Sequence, residues 1–324
     1  MTDQLTELSP AKVRAKETMT GIWAAALMPF TADHRIDEDG FRENVRHWVD
    51  DLGIAGLFIS GKQGEFFSMS VDERKRSFEL AVEACAAADG TGQTIMSCSD
   101  QNLDVVLDLA RHAETVGADY IVVHAPALHF STAQDETLLG YYRTVAEAVD
   151  IGIALWSHPD SGYLMSPELC DRLADIDNVV AIKYSVPRHM YVELSELASD
   201  RIQVSTASEV EWLDNIVELG WELYLCSSPP FLLQTAVDRR MHEYTHAAFA
   251  GRAEEARAIS ASLDPVRAAL RDTRPPEKPH AHQKFWQELL GQVGGAVRAP
   301  LLELTDAEKD ATRGAFESCG LQLP

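Results

Sequence analysis

At 324 residues, with 46% apolar and 24% charged residues, the chain has ordinary globular composition and is long enough to bury one large core. Its formal net charge of −23 argues against a nucleic-acid partner, because phosphate binding needs clustered Lys and Arg, and it leaves the sign of a substrate open. No eighteen-residue apolar run appears, which argues against a membrane span. The five cysteines (Cys85, Cys98, Cys170, Cys226, Cys319) are dispersed without metal-like spacing, which fits reduced thiols in a cytoplasm and no metal site.

Residues 1–20 are polar, of mixed charge and without a signal-like apolar stretch; they read as an N-terminal arm whose ordering is optional. A short apolar run followed by an amphipathic helix then recurs about eight times. The runs are GIWAAALM (21–28), AGLFIS (55–60), TIMSCS (94–99), ADYIVVHA (118–125), GIALWS (152–157), VVAIKYS (179–185), RIQVST (201–206) and WELYLCS (221–227). A helix is expected from Asp37 to Leu52, with Phe41, Val45, Trp48, Val49 and Leu52 on one face. Another opens at Ser70, where Glu73 completes a capping pattern. Near-continuous apolar strands, each followed by a helix, indicate parallel pairing with both faces covered. Eight such units, with no glycine-rich phosphate loop at the start, favour a (β/α)8 TIM barrel over residues 21–249. From about Phe231 the pattern is helical only, with one long amphipathic run in 249–272 and two further helices. Residues 250–324 are read as a C-terminal helical extension.

Barrel enzymes carry their reacting groups at the C-terminal ends of the strands. After the second run comes Gly61-Lys62-Gln63-Gly64-Glu65, a turn whose glycines expose backbone N–H groups able to hold a carboxylate; a plain tight turn is the ordinary alternative. In the sixth run Lys183 interrupts an apolar strand. Desolvation there favours a neutral amine able to attack a ketone, and a lysine snorkelling from the strand's exit is the competing reading. Ser60, Cys226 and Ser227 lie at or near strand ends and are candidate pocket lining, whereas alternation turns Tyr184 away from the barrel axis.

AALMPFTADHRID, GKQGEFFSMSVDER, HPDSGY, NVVAIKYS and the late PPEKPHAHQKFWQELLG together resemble the dihydrodipicolinate synthase and N-acetylneuraminate lyase family over nearly the whole chain. The resemblance implies a generally tetrameric, cofactor-free class I enzyme. Lys183 would form a Schiff base with a 2-oxo acid, and the Gly61–Glu65 loop would bind the acid's carboxylate. Departures are as informative. Lys62 and Gln63 stand where the family has two hydroxyl residues, and Trp156 stands where a tyrosine relays protons. Pro126 is followed by Ala127 and Leu128 rather than aromatic residues. The arginine used by the lysine-pathway synthase is absent from Asp160-Ser161-Gly162, which argues against that activity.

His158, two residues beyond Trp156, is the candidate for acid/base work, against a loop histidine bound to backbone. Lys62 is a candidate for pairing the carboxylate, against a lysine that salt-bridges Glu65 or points outward. The expectation is a lyase joining or splitting pyruvate and an aldehyde. The alternatives are a dehydratase of the same family and a non-catalytic 2-oxo acid binding protein.

Overall fold

The computed structural model describes residues 8–89, 92–128, 134–225 and 230–324; Cys226 and Ser227 lie outside the described residues. The eight strands are β1 (Gly21–Ala25), β2 (Gly56–Ile59), β3 (Gln93–Ser97), β4 (Tyr120–His124), β5 (Gly152–Ser157), β6 (Val179–Tyr184), β7 (Gln203–Ser205) and β8 (Leu223–Leu225). Helix α1 (Pro10–Thr18) precedes them. Between successive strands come α2 (Glu38–Arg46), α3 (Val71–Ala87), α4 (Leu103–Thr115), α5 (Gln134–Ala146), α6 (Pro167–Leu173), α7 (Arg188–Ala198) and α8 (Glu209–Leu219). After β8 the chain is helical: α9 (Arg240–Phe249), α10 (Ala253–Ala261), α11 (Asp264–Asp272), α12 (Pro279–Leu289) and α13 (Asp306–Ser318).

The strands lie in the order β7-β6-β5-β4-β3-β2-β1-β8, the sequential order of a (β/α)8 barrel opened between β7 and β8. Among the described residues no helix is long and apolar enough to cross a membrane.

The residues pack as two compact units. The first comprises the residues up to Thr20, Ile95–Ala207 and Trp221–Tyr224. All six residues of β5 and all six of β6 are buried, so both strand faces are covered and every side chain had to be apolar or specifically accommodated. Tyr184 shows how: its hydroxyl donates to Met165 O at 2.6 Å, on the side of β6 away from Lys183. The segment read as an arm contains α1, capped by Ser9 and tied down through Lys12 Nζ to Ala174 O (2.5 Å) and Thr18 Oγ1 to Tyr120 Oη (2.6 Å).

The second unit comprises Gly21–Thr94, Ser208–Gly220 and Leu225–Pro324, so the C-terminal helices share a core with β1, β2 and α3. The capping box of Ser70 and Glu73 forms at the start of α3. The helix expected over 37–52 is α-helical only to Arg46. His47–Asp51 widens into a π turn, where Trp48 stacks on Phe231 (4.2 Å between centroids) and donates to Gln292 Oε1 (2.8 Å). The run expected as one helix in 249–272 is divided at Ser262-Leu263. Pro265, which lacks an N–H, sits in the first turn of α11, where that donor is not needed. Glu209 binds α11 through Arg267 (2.7 Å) and α9 through the Tyr244 hydroxyl (2.8 Å), a fully buried phenol whose acidity that burial suppresses.

Candidate active site

In the first unit, parallel register sets four residues in one row: His124 on β4 opposite Trp156 on β5, Trp156 opposite Lys183 on β6, and Lys183 opposite Ser205 on β7. Lys183 is 1% exposed, and its Nζ lies 4.9 Å from the centroid of the Trp156 ring. Burial penalises the ammonium form while the indole face attracts it, so the amine sits between two opposed influences rather than in bulk water. The His124 ring meets Trp156 edge to face, 4.7 Å between centroids at 81°. Its own backbone N–H donates to Ser99 Oγ (2.9 Å), which fixes the end of β4.

His158 lies just past the end of β5 in extended conformation, its ring 6.1 Å from Trp156 and 6.3 Å from His124. Its Nδ1 accepts the backbone N–H of Asp160 (3.2 Å), capping the short turn that follows, and the Asp160 carboxylate is 3.3 Å from the same nitrogen. The backbone contact foreseen as the ordinary alternative is therefore present. Tyr163 staples the loops after β4 and β5 by donating to Pro126 O at 2.6 Å. Burial pushes its phenol up to about 12, so it is poorly matched to proton transfer near neutrality.

In the second unit, the loop after β2 is bracketed by two non-glycine residues in left-handed conformation, Ser60 (φ 51°) and Glu65 (φ 57°). Such strain costs on the order of 1–3 kcal/mol per residue and persists only where the surroundings enforce it. The enforcing contacts are explicit. Glu65 is fully buried and pairs with Lys284 Nζ at 2.6 Å, while its other oxygen accepts the backbone N–H of Arg298 (3.0 Å). Lys284, itself 1% exposed, also donates to Ala296 O (2.6 Å) and lies 4.5 Å from the Phe30 ring centroid. Burial lowers the Lys284 pKa against the pull of Glu65.

Ser60 Oγ bonds Ser77 Oγ at 2.6 Å, and His280 Nε2 bonds Lys62 O at 2.9 Å. Burial lowers the His280 pKa, so it donates here as a neutral ring. Gly61 and Gly64 are buried. A Cβ on Gly64 would stand 3.2 Å from Ala26 O and 3.3 Å from Ser60 Cα, so the turn needs glycine for close approach. Lys62 and Gln63 are half-buried. The expected alternative pairing of Lys62 with Glu65 is replaced by Lys284.

Of the residues singled out from sequence, Lys183, Trp156 and His158 fall together in the first unit, and Ser60 to Gly64 in the second. His124 was missed, although it is the polar residue at the C-terminal end of its apolar run, the position where barrel chemistry is sought. Lys284, Arg298 and His280 carried no local signal.

The chain thus folds as a (β/α)8 barrel with a buried lysine on its sixth strand. The chain belongs to the dihydrodipicolinate synthetase family, whose model matches residues 18–318. It is 28% identical over 298 residues to the 4-hydroxy-tetrahydrodipicolinate synthase of Methanothrix thermoacetophila, covering 90% of this chain and 94% of that protein. It is 33% identical over 168 residues to an N-acetylneuraminate lyase of Clostridium perfringens, covering 52% of this chain and 57% of that enzyme. A crystal structure of a dihydrodipicolinate synthase superposes with a TM-score of 0.78 at 25% identity, covering 94% of this chain and all of the other. Membership supports a pyruvate-dependent lyase in the broad sense.

Proposed function

We propose that this protein is a class I lyase whose Lys183 condenses with the C2 carbonyl of a 2-oxo acid and which makes or breaks the C3–C4 bond to an aldehyde. The observation that carries the reading is the burial of Lys183 beside the Trp156 face, in a row of strand residues that includes two other polar side chains, His124 and Ser205. Neutral amine attack and loss of water give a protonated imine. That cation takes up the electron pair when the C3–C4 bond breaks, so a neutral enamine forms in place of a carbanion.

His158, whose Nδ1 accepts the Asp160 N–H, is the candidate for general acid/base work through Nε2. The backbone of Gly61, Lys62, Gln63 and Gly64 has the carboxylate-holding role, with Ser60 shaping the turn and Lys62 adding charge. Trp156 in place of tyrosine suits a flatter, more apolar aldehyde than a sugar.

Borohydride reduction in the presence of pyruvate, followed by peptide mapping, tests the reading: a reduced adduct on Lys183 and aldehyde release from 4-hydroxy-2-oxo acids are expected. An adduct with loss of water but no aldehyde favours a dehydratase, and an adduct without turnover favours a binding protein. No adduct refutes the Schiff base. The homotetramer that the family resemblance implies is read by light scattering after gel filtration.

A further inference from the structure

Aldol cleavage needs more than an electron sink, because the C4 hydroxyl must give up its proton as the C3–C4 bond breaks. With Trp156 in the tyrosine's place and His158 Nδ1 held by the Asp160 N–H, the other imidazole of the cluster, His124, is the group to consider for receiving it. Register partners in a parallel sheet project to the same side, so His124, Trp156 and Lys183 line one surface with the indole in the middle.

The two separations across that indole, 4.7 Å to the His124 ring and 4.9 Å to Lys183 Nζ, bring the imidazole within about 10 Å of the amine. In an imine of a 4-hydroxy-2-oxo acid, ordinary bond lengths put the C4 oxygen about 4–5 Å from that nitrogen. An imidazole nitrogen sits about 1 Å from its ring centre and bonds an oxygen at about 2.8 Å, so a base for this proton belongs about 8–9 Å away. A base for the C3 proton belongs about 2 Å closer, since C3 is the nearer atom by about that much.

Resting on the Schiff-base reading, we propose that His124 is the base for the C4 hydroxyl. Its ring nitrogen takes the hydroxyl proton and the O–H pair becomes the aldehyde π bond. The C3–C4 pair becomes the enamine double bond, and the imine π pair returns to nitrogen. In condensation the same imidazolium returns the proton to the new alkoxide.

The test compares wild type with His124→Gln on the pyruvate adducts of glyoxylate, D-glyceraldehyde and benzaldehyde, with two controls that do not involve C4. Cleavage of any adduct the wild type accepts should fall roughly 10²–10⁴-fold. Borohydride trapping of pyruvate on Lys183 and deuterium exchange at pyruvate C3 should stay within about threefold, which also certifies the fold. Parallel loss of exchange and cleavage overturns the assignment, as does cleavage within threefold of wild type. It is likewise overturned by a wild type that traps and exchanges pyruvate yet cleaves none of the three. A wild type that traps no pyruvate is a separate failure, that of the Schiff base itself.

Discussion

Replacing Lys284 by Met tests what holds the loop after β2. The substitution keeps volume and apolar stem but removes a charge whose partner, Glu65, has no exposure to solvent. Glu65 would retain the Arg298 N–H at 3.0 Å, one hydrogen bond for a buried carboxylate. Breaking a buried pair from one side costs about 3–5 kcal/mol, since the surviving ion stays desolvated. For a chain this long, each kcal/mol lowers the melting temperature by roughly 2 °C, so a fall of about 6–10 °C is expected by calorimetry. Glu65→Gln with Lys284→Met removes both charges and should recover about 2 kcal/mol relative to the sum of the singles. A Lys284→Met variant that loses less than about 1 kcal/mol, or a double variant no better than additive, would refute the claim that this ion pair enforces the left-handed Glu65.

Three further outcomes follow from the geometry. Burial holds His282 and His242 at about 4, below the ordinary imidazole value. The unfolded chain therefore takes up protons that the native state refuses. Stability should be complete above pH ~6.5 and decline towards pH ~4, by up to about 3 kcal/mol for His282 and by roughly half that for the less buried, better screened His242, in urea titrations across that range. Gly64→Ala should raise the pyruvate concentration needed for half-maximal trapping while leaving far-UV circular dichroism intact, because the new methyl presses on Ala26 O and Ser60 Cα. Tyr163→Phe should lower stability by about 1 kcal/mol through the lost bond to Pro126 O and leave the rate unchanged; a rate collapse would mean the phenol moves protons.

Much of the architecture was legible because parallel barrel strands are buried on both faces and so read as unbroken apolar runs. The Ser70–Glu73 cap could be read for the opposite reason, since it is complete within four residues. Lys183 stood out because an amine within such a run violates the pattern, whereas His124 ends its run as any exit residue does. Its meaning lies in the cross-strand register with Trp156, which one-dimensional periodicity does not carry. The division of the helix expected in 249–272 turned on Pro265, a proline in a first turn that an amphipathic pattern alone passes over. The supports of the β2 loop were hidden by distance: His280 acts on Lys62 from 218 positions away, and Arg298 on Glu65 from 233.

That separation also bears on synthesis. At roughly 5–20 residues per second, a ribosome needs about 10–50 seconds after making Glu65 to reach Arg298. Once Lys183 has been added, the nascent chain still lacks Lys284 and Arg298, the two residues that hold Glu65. Cleavage between β6 and α12 would leave a chain that carries Lys183 but neither partner of the buried Glu65 carboxylate.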